Sequence, residues 1–238
     1  MSHTVRPDGD PGVRVGGFQR FTTLDYPGQL AAVIFLQGCP LRCEYCHNPD
    51  LIPPRGGVEI EWQMIETELL RRRGFLQAVV FSGGEPLMQS GLVAAIGRVR
   101  AMGFRVGLHT SGAAPARLAV LRGLVDWVGF DIKAPFEAYG PVTGVPASGP
   151  RARESYSELT AWQIPHEVRT TVWPHRIGSA QVRAIANSIE AGGTQDFVLQ
   201  EARHPVTGQA MGGPVFSDRS LLEDLTSRFR GFSVRRAA

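Results

Sequence analysis

Lysine is almost absent from this chain: of its 25 basic residues, 24 are Arg and one, Lys133, is Lys. Cysteine is scarce too, with three residues confined to Cys39, Cys43 and Cys46. An odd, crowded set of thiols is the wrong arithmetic for a secreted disulfide framework and points to metal or redox work in a reducing, cytoplasmic compartment. No run approaches the roughly 18 apolar residues of a membrane span, which argues against a membrane role. The polar, Gly/Pro-rich start lacks the apolar segment of a signal peptide, so residues 1–15 read as a flexible leader before a single domain over 16–238. The net charge is only +3, and outside Arg71-Arg72-Arg73 the basic residues are interleaved with acids. That pattern lacks the clustered basic and aromatic surface of a nucleic-acid groove.

What the sequence does have is 43% apolar residues over 238 positions, enough to bury a substantial core. Short apolar runs recur at Ala31–Leu36, Gln77–Phe81, Arg105–His109, Trp127–Ile132, Glu167–Trp173 and Asp196–Leu199. Runs of this length and composition match strands buried on both faces of a parallel sheet. Between them lie helical stripes: Trp62, Ile65 and Leu69; Leu92, Ala95, Ile96 and Val99; Val182, Ile185, Ala186 and Ile189; and Leu221, Leu222, Leu225 and Phe229. Ser179 is placed to cap the third stripe at its N-terminus and Gly192 at its C-terminus. Weaker helical patterns lie near Pro115–Leu121 and Arg153–Trp162, and Gly140–Pro150 reads as an insertion loop. Six βα repeats with right-handed crossovers make an α/β protein able to close into a complete or partial barrel, with binding residues at the strands' C-terminal ends.

The cysteines follow the first of these strands as Cys39-x3-Cys43-x2-Cys46. Three close thiolates suit an iron–sulfur cubane in which one iron lacks a protein ligand. A structural zinc site needs a fourth ligand, and His47, the nearby candidate, adjoins Cys46 where consecutive side chains diverge. An electron-carrying ferredoxin site would need a fourth Cys. Later strand ends carry further polar groups. Ser82-Gly83-Gly84-Glu85-Pro86 combines bare backbone with a carboxylate, and is also what a plain strand-to-helix turn looks like. Asp131 and Lys133 share one side of their strand, as ligand contacts or as a core ion pair. Arg169 lies within the fifth strand, where it either reaches a ligand or snorkels outward.

Together these motifs resemble the radical S-adenosylmethionine (SAM) superfamily. The resemblance implies a partial (β/α)6 TIM-like barrel holding a [4Fe-4S] cluster on Cys39, Cys43 and Cys46. Its open iron chelates the amino and carboxylate groups of SAM, and reductive cleavage yields a 5′-deoxyadenosyl radical. The same resemblance gives Tyr45, Gly83, Gly84, Glu85, His109, Asp131, Lys133, Arg169 and Gln200 as SAM-binding residues, with Tyr45 beside the adenine. His109-Thr110-Ser111-Gly112 departs from the Asp-Thr-Asn-Gly element of pyruvate formate-lyase activators, so His109 either hydrogen-bonds SAM or only fills space there.

Gly16-Gly17-Phe18, Leu24-Asp25-Tyr26-Pro27-Gly28, Phe35-Leu36-Gln37-Gly38-Cys39-Pro40, Cys46-His47-Asn48-Pro49 and Phe130-Asp131-Ile132-Lys133-Ala134-Pro135 are similar to activating proteins of anaerobic ribonucleoside-triphosphate reductases. This implies an enzyme that places a glycyl radical on such a reductase, with electrons from a flavodoxin- or ferredoxin-type donor. Activation of another glycyl radical enzyme, a small-molecule role such as deazapurine synthesis, and a non-catalytic metal-binding module are the alternative readings.

Overall fold

The computed structural model describes residues 10–237, so the first nine residues of the expected leader lie outside the described chain. It divides into two compact units.

The first unit comprises residues up to Pro40, Asp50–His109 and Val120–Trp127. Its strands are β1 (Val15–Thr22) and β2 (Ala31–Leu36), followed by helix α1 (Trp62–Arg71), β3 (Ala78–Gly83), α2 (Leu92–Ala101) and β4 (Arg105–Thr110). β2, β3 and β4 are parallel, with Ala31 opposite Ala78 and Phe81 opposite Leu108. Their apolar runs are buried, and α1 and α2 bury the stripes read from the sequence. β1 was not anticipated. It pairs antiparallel with β2, and its glycines, mixed exposure and irregular register hide the alternation a sequence reading relies on. Tyr26 stacks on Trp127 at 5.2 Å and closes one end of this core.

The second unit comprises Leu41–Pro49, Thr110–Ala119 and Val128–Ala238. It carries α3 (Pro115–Ala119), β5 (Trp127–Asp131), α4 (Tyr139–Thr143), α5 (Ser148–Thr160), β6 (His166–Val172), α6 (Ser179–Ala191), β7 (Phe197–Glu201), α7 (Arg219–Arg228) and the short β8 (Ser233–Arg235). β5 to β8 are parallel neighbours in chain order. Both units therefore repeat βα hydrogen-bonding logic and give the expected α/β class.

Two expectations need correction here. Gly140–Pro150 is not an insertion loop: it forms α4, a turn and the start of α5, with Val142, Thr143, Ser148 and Gly149 buried. Gly144 ends α4 in the left-handed conformation (φ 67°), and Pro150 falls in the first turn of α5, where no intrahelical N–H is required. Thr143 and Ser148 hydroxyls meet at 2.7 Å and tie the two helices together. At α6 the N-cap is Gly178, whose N–H donates to Gln181 Oε1 at 3.0 Å, and Ser179 is already helical. The C-cap is Gly192 as expected, with an ordinary φ, and the left-handed turn falls one residue later at Gly193. Gly192 also makes room for Tyr156, whose hydroxyl would lie 2.6 Å from a Cβ there.

Candidate active site

In the first unit the strand ends are held by backbone. Gly38 N–H donates to Leu51 O at 2.8 Å and Cys39 N–H to Ile52 O at 3.0 Å, so the chain entering the cysteine loop lies against residues 50–54. Gln37, 3% exposed, donates through Nε2 to Asp50 O and Pro53 O at 2.8 and 2.7 Å. Its own carbonyl accepts from the buried Gln89 side chain. A Cβ at Gly16 would collide with Leu51 Cδ2 and lie 2.6 Å from Gln37 Oε1, so glycine there gives both side chains room.

Gly83 ends β3 with φ 114°, a conformation open to glycine and little else. Gly84 N–H donates to Leu36 O at 2.9 Å, and Glu85 N–H to Gly38 O at 3.0 Å. A Cβ on Gly84 would lie 2.5 Å from Gly38 O and 2.7 Å from Leu51 O. The Glu85 carboxylate is buried and accepts from Leu87 N–H at 3.2 Å, capping the short turn after β3. His109 is held at both ring nitrogens: Nε2 donates to Asp25 O at 2.8 Å, and Nδ1 meets Ser82 Oγ at 3.3 Å. A neutral ring protonated at Nε2 satisfies both contacts, because a carbonyl only accepts. In this structure His109 thus links the Leu24–Gly28 turn to the Gly-Gly-Glu strand end.

In the second unit the corresponding work is done by side chains. Asp131 lies opposite Arg169 in the β5–β6 register. Arg169 Nε donates to Asp131 Oδ1 at 2.9 Å and its terminal nitrogen to Gly129 O at 3.2 Å, with the side chain 7% exposed. Lys133 Nζ lies 3.7 Å from Asp131 Oδ2 and 5.8 Å from the centroid of the Tyr45 ring. Asp131 is therefore shared between two cations, and Arg169 turns inward rather than snorkelling. Burial works against the Lys133 ammonium, but Tyr45, Asp131, Cys43 and Tyr139 outweigh it and hold its pKa above the ordinary lysine value. Tyr139 accepts from Lys133 N–H at 3.1 Å. Gln200 is half-buried at the end of β7, opposite Thr171.

The cysteine turn is built into the same unit. Cys46 N–H donates to Cys43 O at 3.1 Å, and Arg42 N–H to Thr143 O at 2.7 Å. Glu44 accepts from Trp173 Nε1 and Arg176, while Tyr45 packs on Trp173 with centroids 6.2 Å apart. Burial pushes the Cys43 thiol up, with Cys46 and Asp131 adding to this and Lys133 opposing it. Burial, then Arg203, holds the His47 imidazole below its ordinary value.

Sequence reasoning overlooked Gln37, Gln89, Tyr139, Glu44, Trp173 and Arg176. Gln37 was within reach, since it stands in a quoted motif. The others act through partners far away in the chain, which no local pattern shows.

The residues fit an iron–sulfur cluster and SAM. Cys39, Cys43 and Cys46 form no disulfide. Tyr45 Oη is buried with no hydrogen-bond partner among the described residues, and so offers a donor to a polar group brought into the site. Gly83 and Gly84 leave bare backbone at the end of β3. Among the described residues no three His, Cys, Asp or Glu side chains are gathered for a single metal ion. A cubane makes no such demand, because each thiolate takes a different iron.

The sequence pattern of the Radical SAM superfamily matches residues 33–175, more than half of the chain. A Methanocaldococcus jannaschii protein provisionally named glycyl-radical enzyme activating enzyme MJ1227 is 30% identical over 184 residues, 74% of this chain and 75% of its own. The pyruvate formate-lyase-activating enzyme of Clostridium pasteurianum is 32% identical over 137 residues, 55% of this chain and 57% of its own. Among solved structures, Streptococcus suis SuiB bound to S-adenosylmethionine superposes with a TM-score of 0.66 over 84% of this chain and 48% of that one, at 11% identity. This supports the partial-barrel fold class. Among the described residues no helix is long and apolar enough to cross a membrane. The chain belongs to the radical SAM superfamily, whose cofactors are a [4Fe-4S] cluster and S-adenosylmethionine.

Proposed function

We propose that this chain, acting through one domain over 16–238 in a reducing cytoplasm, activates a glycyl radical enzyme, specifically an anaerobic ribonucleoside-triphosphate reductase. The observation that carries the activase reading is the 30% identity to the M. jannaschii protein across three-quarters of both chains. The reductase as target rests on the motifs around Gly16–Phe18, Leu24–Gly28 and Phe130–Pro135.

In this reading Cys39, Cys43 and Cys46 would hold a [4Fe-4S] cluster with one iron open to SAM. When bound, the cluster and SAM supply the one-electron reduction and hydrogen-atom abstraction that leave a radical on a glycine Cα of the partner. The chain's own residues bind and orient. Gly83 and Gly84 let a ligand approach the end of β3 and offer carbonyls to an ammonium, while Glu85 shapes that turn through its cap on Leu87. Lys133, a compact cation steadied by Asp131 and by Arg169 behind it, faces a carboxylate. The rings of Tyr45 and Trp173 shield the site from water, with Tyr45 beside the adenine. Gln200 offers an amide to the nucleoside, and His109 acts by holding the strand end that carries Gly83. No side chain is needed as a general acid or base. A flavodoxin- or ferredoxin-type protein supplies the electron.

The match to the C. pasteurianum enzyme favours a second target, pyruvate formate-lyase. Electron paramagnetic resonance separates the two. The reductase, mixed anaerobically with this protein, SAM and a reductant, is expected to develop a glycyl doublet. A doublet on pyruvate formate-lyase alone transfers the assignment to the second target, and no doublet on either sinks the activase reading.

A further inference from the structure

Glu44 lies between two cysteines, yet its carboxylate points away to partners about 130 residues later. Oε2 accepts from Trp173 Nε1 at 3.0 Å, and Oε1 accepts from an Arg176 terminal nitrogen at 2.7 Å. Arg176 Nε completes the fork at 3.4 Å from Oε2. The two donors are set by a turn after β6, in which Arg176 N–H and Ile177 N–H donate to Trp173 O at 2.9 and 2.8 Å. His175 meets the Trp173 ring edge-on at 5.2 Å, and Trp173 is 7% exposed. The same indole also packs against Tyr45.

One turn of chain, Cys43–Cys46, is thus gripped at two successive residues: Glu44 by hydrogen bonds and Tyr45 by ring contact. The grip adds little to the core. Arg176 is 45% exposed and Glu44 38%, and exposed ion pairs of this kind contribute little to folding. What they constrain is the turn that sets how Cys43 and Cys46 are presented. Groups behind metal ligands commonly govern metal retention in this way.

We propose that Glu44, Trp173 and Arg176 form a clasp that positions Cys43 and Cys46 and thereby keeps the iron–sulfur cluster in place. The clasp rests on the cluster reading of the three cysteines. Glu44, Trp173 and Arg176 are positioning residues, since none touches a reacting atom. Removing the Glu44 charge or the indole N–H frees the turn while leaving the barrel core as it was.

The test uses the full chain reconstituted anaerobically with iron and sulfide. Wild type, Glu44→Gln, Trp173→Phe and Arg176→Lys are followed by cluster absorbance after addition of an iron chelator, and by thermal unfolding of the metal-free chains. Bleaching about tenfold faster in Glu44→Gln and Trp173→Phe is expected, at unchanged metal-free unfolding temperature. Arg176→Lys, which keeps the charge and loses the fork, is expected to fall between them and wild type. Equal bleaching rates in wild type, Glu44→Gln and Trp173→Phe overturn the clasp while leaving the cluster reading intact. A wild-type chain that binds zinc and takes up no iron overturns the cluster reading, and the clasp with it. Should Glu44→Gln fail to fold, Trp173→Phe decides alone, because it keeps the ring contact with Tyr45.

Discussion

The two units present their strand ends in different ways. In the first, Gly38, Cys39, Gly84 and Glu85 are all fixed through main-chain N–H groups donating to Leu51, Ile52, Leu36 and Gly38 carbonyls. In the second, a carboxylate shared by Lys133 and Arg169 and a tyrosine beneath the ammonium do the work. Backbone fixation tolerates almost no added atom but is indifferent to charge. Side-chain fixation is the reverse: shape can vary a little, while loss of one charge leaves others buried without compensation. The contrast explains why glycine marks the strand ends of the first unit and ionised residues those of the second.

Four substitutions test that contrast, in falling order of effect. Cys43→Ala removes a proposed cluster ligand from the side-chain-built unit. Iron is expected to drop from about four per chain to near zero with circular dichroism unchanged, and retained iron would break the ligand assignment. Arg169→Ala leaves Asp131 with Lys133 alone and opens a buried gap. It is expected to cost about 3 kcal/mol in urea unfolding, and a cost below about 1 kcal/mol would show that Lys133 suffices. Gly84→Ala pushes a methyl into Gly38 O and Leu51 O and is expected to cost about 1–3 kcal/mol. If it exceeds Arg169→Ala, the backbone side is the less tolerant of the two. Lys133→Arg keeps the charge and alters its shape. SAM affinity measured by calorimetry is expected to fall about tenfold, the worth of one charge-assisted hydrogen bond, with stability held.

Much of the candidate site could be read from the sequence because its residues come in short runs. Cys39 to Cys46, Ser82 to Pro86 and Asp131 to Lys133 each span a few positions at a strand end, where the apolar run stops and polar residues begin. The six buried strands were legible for a related reason, since strands covered on both faces exclude polar residues. β1 escaped because Gly16, Gly17 and a partly exposed face disguise it, and β8 because it is only three residues long. Gly140–Pro150 misled through composition. Its Gly and Pro residues answer helix ends and the close approach of Gly149 to Phe136, rather than a loose loop.

The sequence alone determined the βα order, the cysteine spacing and the family's motif residues, because periodicity and short-range spacing survive in one dimension. Only the tertiary structure decided that Arg169 turns inward to Asp131, that both nitrogens of His109 are engaged, and that Glu44 reaches Trp173 and Arg176. Those partners are between 27 and 132 residues apart in the chain, and where a polar side chain finds its partner depends on which strand ends packing brings together.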